Sequence, residues 1–241
     1  HLVEWALRAP PCVEGEVNVP GSHWHWPLLE VSGWSSWQAV ARVVGELWEE
    51  ALASDAEAVA AEAARLSHGR SREQAIGEAI RFVQEDVRYL AVDFGHGAGL
   101  LPNGAGTVLR RRFGDCKDKT VLLTALLRAL DVAARPLLVA SHWREAVARL
   151  IPSAYAFDHA IVAFDWDGVR QVVDPTLLGQ RGALTRRVPP PYGVGLEIDT
   201  ATTALVELPA APRSSLSLTE TFELDRRGKG EVMQTLRVAG S

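Results

Sequence analysis

One cysteine of this chain, Cys116, stands where a loop enters a predicted helix, and that position could make it a nucleophile. Apolar residues recur at helical spacing over 121–130, which predicts a buried helix face, and Asp115 is a suitable N-cap residue. Cys116 then falls in the first helical turn, where unpaired backbone N–H groups and the helix dipole favour an anion. A thiol in this place should ionise more readily than a free one, and a thiolate can attack an acyl group.

Two further residues, His159 and Asp174, could complete the chemistry that a thiolate needs. His159 begins one predicted strand and Asp174 follows the next, with an Asp-Trp-Asp-Gly turn signal at 165–168 between them. With a loop of 166–167 or 165–168, His159 lies directly opposite Asp174; with a turn centred on 167–168, the two are diagonal neighbours. Both registers place the side chains on one face of the sheet, and only an odd-length loop would separate them. A carboxylate that orients an imidazole is the second half of a catalytic triad.

Each of these residues also has an ordinary explanation. Cys116 could be a small buried apolar residue, as most free cysteines are. His159 could bond a nearby backbone group at a strand end, and Asp174, which precedes Pro175 and Thr176, could start a turn. A cysteine at a helix start together with a His/Asp pair on one hairpin face is much less often accidental, so the combination favours catalysis.

Composition sets the limits on fold and partners. The chain has 241 residues, 47% of them apolar, which is enough for one large domain or one domain with appendages. The net charge of −5 makes nucleic acid an unexpected partner, and no stretch approaches the ~18 apolar residues of a membrane span. Two cysteines do not make a disulfide framework. The chain opens at His1 without a signal-like segment, and we expect it to be a piece of a longer polypeptide.

The remaining pattern predicts helices first and strands later. Capping signals and apolar spacing predict helices from Ser35 or Ser36 to Ala53, from Ser54 or Asp55 to Leu66, and from Ser71 to about Tyr89. Strands are expected at Pro136–Ala140, Ala160–Phe164, Val169–Val173 and 203–208, and a hairpin at Leu216–Leu224 and Glu231–Val238. Glycine-rich residues 93–106 and Pro/Gly-rich residues 188–195 are expected to be loops.

Residues 1–34 are rich in tryptophan and otherwise irregular. The alternation at 23–26 predicts an extended strand with one wet face. His23 and His25 could be a metal pair, but no cysteine or carboxylate cluster completes a ligand set. The tryptophans more simply attach this segment to the main domain.

Three motifs together resemble the catalytic motifs of the transglutaminase-like superfamily: GDCKDK at 114–119, FDHAIV at 157–162 and VDPT at 173–176. The resemblance is best over 35–180 and is nearest to the bacterial branch that carries this core between two β-rich domains. It implies that 1–34 is the tail of a preceding β-rich domain and 35–208 the catalytic core. Residues 209–241 would be a linker and the start of a further β domain.

The resemblance implies an α+β, papain-like fold in which the nucleophile helix packs on an antiparallel sheet. Cys116 would be the nucleophile, His159 the base and Asp174 the orienter, and a thioester would form. The Cys116 backbone N–H and the Tyr89 side chain would be donors to the oxyanion. The papain-type signature around the cysteine is absent, so a papain proper is not implied.

Three functions remain open at this point. The first is hydrolysis of amide bonds in peptides or proteins, the second is transfer that crosslinks glutamine to lysine, and the third is peptide binding without catalysis. An intact triad argues against the third, and the lack of an acidic loop with calcium-ligand spacing favours hydrolysis over calcium-dependent crosslinking. We expect a peptide or protein substrate and no cofactor or metal. The resemblance also implies an exported or periplasmic location.

Overall fold

A computed structural model describes residues 18–23, 28–90, 100–210 and 215–239. Helices precede most of the strands, as the sequence predicts. The helices in the described residues are α1 Trp37–Ala53, α2 Ala56–Ser67, α3 Arg72–Arg81, α4 Ala105–Arg111 and α5 Cys116–Ala129. A π-helical turn, Phe82–Asp86, continues α3, and short 3₁₀ turns lie at Arg144–Arg149, Ala154–Ala156 and Leu184–Arg186. Within these ranges, no helix is long and apolar enough to cross a membrane.

The described strands are β1 Arg88–Tyr89, β2 Phe113–Gly114, β3 Arg135–Val139, β4 His159–Trp166, β5 Val169–Val173, β6 Val194–Glu197, β7 Val206–Glu207, β8 Ser215–Leu224 and β9 Gly230–Ala239. The main sheet has five antiparallel strands in the order β5-β4-β3-β6-β7. β1 and β2 form a short parallel pair, and β8 and β9 form the predicted hairpin, whose described side chains are all exposed.

Helix α5 lies at the centre of the core. It contacts α1, α2, α3 and α4 as well as strands β3 and β4. Side chains of β4 alternate between its two faces: Ala160, Val162 and Phe164 join the core around α5, whereas Ile161 and Ala163 join a smaller apolar cluster behind the sheet. The predicted mixture of helices packed on an antiparallel sheet is therefore confirmed.

The predicted helix starts are confirmed, but one predicted helix end is wrong. Ser36 caps α1 by accepting the Ala39 N–H, and Ser71 with Gln74 forms the capping box of α3. The α-helical part of α3 ends at Arg81 instead of continuing to Tyr89. The Lys119 ammonium donates to the carbonyl oxygens of Gln84 and Val87. In a continuing helix these oxygens would accept backbone N–H groups, so a tertiary contact replaces helical hydrogen bonds.

Three loop and strand predictions need correction. Gly104 and Gly106 do not belong to a long loop, because they cap and enter α4; a side chain on Gly106 would collide with Asp55 just before α2. Strand β6 begins at Val194, inside the loop predicted for 188–195, and the strand predicted for 203–208 is only Val206–Glu207. Residues 93–99 and the predicted strand segment 24–26 lie outside the described residues.

Candidate active site

Cys116 is the first residue of α5, as the sequence predicts. The carboxylate of Asp115 accepts the backbone N–H groups of Lys117 at 2.9 Å and Asp118 at 3.1 Å, which anchors the helix start. Asp118 accepts the Asp115 N–H in return, at 3.4 Å, which completes a capping box. The Cys116 side chain, 8% exposed, borders an open cleft.

Asp118 fixes the loops that precede helix α5. Its buried carboxylate accepts the backbone N–H of Asn103 at 2.7 Å and pairs with the Arg111 guanidinium. A side chain on Gly114 would collide with Asp118, so glycine is needed for this close approach. The sequence motif thus has a structural purpose besides carrying the cysteine.

His159 and Asp174 are in direct contact. His159 Nε2 lies 2.8 Å from Asp174 Oδ2. Strands β4 and β5 pair Val162 with Val173, which is the diagonal register of the two predicted alternatives. The turn is centred on 167–168, and both of its central residues have positive φ, 49° and 73°, as a tight hairpin turn of this length requires.

Asp174 is buried, and its two carboxylate oxygens have different partners. Oδ1 accepts the Thr176 backbone N–H at 2.8 Å and its hydroxyl at 2.6 Å. Oδ2 is shared by His159 and by the Tyr192 hydroxyl, which donates at 2.7 Å. Tyr192 was not predicted from the sequence as a site residue; its ring also packs edge-on to the imidazole with the centroids 5.6 Å apart. Its one sequence signal is an aromatic residue in an otherwise Pro/Gly-rich segment.

His159 lies between Cys116 and Asp174. Its Nε2 is occupied by Asp174, which leaves Nδ1 as the ring nitrogen for Cys116. Burial alone would lower the pKa of His159, but hydrogen bonds to Asp174 and Cys116 and the charges of both outweigh burial and raise the pKa to about 10. Burial would raise the pKa of Asp174, yet the bond and charge of His159 and the bonds from Thr176 hold that pKa below its ordinary value. The imidazole is therefore an imidazolium at neutral pH.

This raised pKa predicts how stability depends on pH. Below the ordinary pKa of 6.5, His159 is protonated in both the folded and unfolded chain, and its ionic contacts contribute fully. Between 6.5 and about 10 only the folded chain keeps the proton, so the contribution falls as pH rises. Urea unfolding at a series of pH values is done in a Cys116→Ser background, so that titration of the thiol cannot offset that of the imidazole. The free energy of unfolding of Cys116→Ser, minus that of Cys116→Ser/His159→Ala, should fall above pH 6.5 by up to about 1.4 kcal/mol per pH unit. A difference that is flat or rises with pH would contradict the assignment.

Tyr89 lies at the rim of the same cleft. Strand β1 pairs Tyr89 with Gly114, two residues before Cys116. Burial raises the pKa of Tyr89, and the negative charges of Cys116, Asp115 and Asp174 raise it further. Tyr89 therefore lies near Cys116 in the same cleft lining, and 43% of the residue is exposed to solvent.

The cleft beside Cys116 has a volume of about 320 Å³. Its described lining combines Cys116, His159 and Tyr89 with apolar residues of α1, β3 and β4. Within the described ranges, no three His, Cys, Asp or Glu side chains are grouped as a metal ion would require.

Comparisons with known proteins identify relatives by fold alone. No protein-family model matches the chain, and no curated protein does. A crystal structure of a "putative protease" from Parabacteroides distasonis matches 84% of this chain and 52% of its own, with a TM-score of 0.54 and 13% identity. A "putative cysteine protease" from Cytophaga hutchinsonii matches 77% of this chain and 51% of its own, with a TM-score of 0.38 and 16% identity. The chain thus spans about half the length of these structures, and the first match shows that it shares the mixed helix-and-sheet fold of the P. distasonis structure.

Proposed function

We propose that this chain is a thiol-dependent enzyme that cleaves amide bonds of peptides or proteins, with Cys116 as nucleophile, His159 as general acid and base, and Asp174 as orienter. One observation carries the proposal. A buried carboxylate lies 2.8 Å from one nitrogen of an imidazole, and the other nitrogen is available to hydrogen-bond a cysteine at a helix start. The papain-like identity of the fold and the division into 1–34, 35–208 and 209–241 are part of the same proposal.

The reaction follows from the charges at the site. The Cys116 thiolate attacks the amide carbonyl carbon, so a C–S bond forms and the carbonyl oxygen becomes negative. The His159 imidazolium gives its proton to the amide nitrogen, the C–N bond breaks and the amine departs. The neutral imidazole then takes a proton from water while the water oxygen attacks the thioester carbon. The acid product leaves as the C–S bond breaks, and the thiolate–imidazolium pair is restored.

The oxyanion needs donors that are in place before the reaction. The Cys116 backbone N–H belongs to the first turn of α5, where N–H groups have no acceptor within the helix. The hydroxyl of Tyr89, at the cleft rim, is the proposed second donor.

Hydrolysis is preferred to crosslinking as the outcome of the thioester. The protein from P. distasonis that shares the fold is called a "putative protease", although a shared fold does not by itself determine chemistry. The two reactions differ only in whether water or an amine resolves the thioester, so one experiment can decide between them.

The test is mass spectrometry of peptide mixtures incubated with the chain, with and without a primary amine. Hydrolysis should produce new peptide termini in both samples. A mass gain from amine incorporation at glutamine, without new termini, would instead indicate the transferase. If neither change appears over a broad peptide mixture, the catalytic proposal is wrong and a peptide-binding role would remain.

A further inference from the structure

The cleft has an apolar lining next to the nucleophile. This apolar lining consists of Val44, Trp48, Leu138, Ala154 and Phe157. The first four are part of one contiguous core cluster and Phe157 packs against it. This surface is therefore held rigidly by the core.

Three polar side chains that border the apolar lining are already bonded within the protein. Trp48 donates its Nε1–H to the Leu100 carbonyl at 2.8 Å. Asp115 pairs with the Lys117 ammonium at 2.6 Å, and Asp158 accepts the Ser141 N–H at 2.6 Å. A polar ligand group in this space would lose its hydrogen bonds to water and form few new ones with the protein. An apolar group would instead lower its free energy by leaving water.

We infer that the apolar lining is a specificity subsite for one bulky apolar or aromatic side chain on the acyl side of the scissile amide. The choice of occupant rests on the proposed function. The acyl carbon of the substrate must reach Cys116, and the side chain of the residue that contributes this carbon then lies in the same cleft. The volume of about 320 Å³ is at the small end of ligand pockets, as suits a single side chain rather than an extended ligand.

The first test measures alkylation of Cys116 and does not depend on turnover. In a Cys12→Ala background, Cys116 is the remaining cysteine of the chain. The alkylation rate of Cys116 with N-benzyl iodoacetamide is divided by its alkylation rate with N-hydroxyethyl iodoacetamide. This ratio is then divided by the corresponding ratio for glutathione, which corrects for the intrinsic reactivity of the two reagents. A value of about ten or more is expected, since an apolar pocket discriminates side chains by roughly 10- to 200-fold. A value near one would overturn the inference.

Two alanines of one 3₁₀ turn offer a matched pair of variants. Ala154 is buried in the apolar lining, whereas Ala156 is partly exposed and lies outside it. Ala154→Leu should fill the subsite and reduce the benzyl preference at least threefold, and Ala156→Leu should keep it. An equal effect of both variants would count against the subsite, and the wild-type ratio alone decides if Ala154→Leu does not fold.

Failure of the subsite and failure of the proposed function are distinguishable. If peptides are cleaved, the new carboxyl termini should be enriched in large apolar or aromatic residues, and cleavage without this enrichment would overturn the inference alone. If no peptide is cleaved but the benzyl preference is present, the subsite stands and the catalytic proposal falls.

Discussion

Replacing Cys116 with alanine is expected to abolish amide cleavage, with a loss of about 10⁴-fold or more in kcat/KM, because no thioester can form. The measurement is the rate of appearance of new peptide termini, compared with wild type at equal protein concentration. Cys12→Ala is the matched control, since it removes the other cysteine of the chain and should leave the rate unchanged. Residual cleavage within tenfold of wild type in Cys116→Ala would exclude Cys116 as the nucleophile.

This loss should be chemical rather than structural. The change from Cys116 to alanine removes one atom from a site at the edge of the core, and such a small truncation costs on the order of 1 kcal/mol. The capping box of α5 uses Asp115 and Asp118, which the substitution leaves intact. Urea unfolding of the variant should therefore remain cooperative, with a midpoint close to that of wild type.

Local capping signals explain why the position of Cys116 at a helix start could be predicted from the sequence. The partners that start α5 lie within three residues of each other, and the same is true of Ser71 and Gln74 at α3. Contacts of this range depend on backbone geometry that the sequence itself specifies. The sequence therefore contained enough information for the helix start, and the structure places Cys116 there.

The His159–Asp174 pairing was predictable as to face but not as to register. Loops at 166–167 and at 167–168 each contain two residues, an even number, so both put the two side chains on one side of the sheet. Choosing between them requires two consecutive residues with positive φ, and Asp167 with Gly168 meets that requirement. Diagonal neighbours are farther apart than directly opposed ones, but the histidine side chain spans the gap.

Contacts between distant parts of the chain explain what the sequence analysis missed. Gln84 donates to the Asp174 carbonyl at 2.9 Å across 90 residues, and Tyr192 donates to the Asp174 carboxylate across a segment that contains the 3₁₀ turn Leu184–Arg186. Lys119 occupies a helical position that charge alone would assign to the surface, yet it is fully buried. Burial lowers the pKa of Lys119 to about 8, against the opposing charge of Asp174. No local pattern encodes these contacts, because they exist only once the helices pack behind the sheet.

Replacing Asp174 with asparagine is expected to reduce kcat/KM by about 10³- to 10⁴-fold while the chain still folds. The amide oxygen can still accept the two bonds from Thr176. The negative charge that holds the His159 proton is lost, and with it one hydrogen bond and one charge that raise the pKa of the imidazole. The pH profile of cleavage should therefore shift to lower pH as well as fall in height.

Tyr192→Phe is the matched control for that experiment, because it removes another donor to the same Asp174 oxygen but keeps the carboxylate. The hydrogen bond from His159 persists, so the loss in kcat/KM should stay within about 150-fold, the equivalent of one hydrogen bond to a charged group at about 1.5–3 kcal/mol. A folded Asp174→Asn variant with full activity would refute the orienter role. If Tyr192→Phe were as damaging as Asp174→Asn, orientation of the imidazole would depend on the hydroxyl and carboxylate together. The difference between the two variants thus measures the contribution of the Asp174 charge separately from that of its hydrogen-bond network.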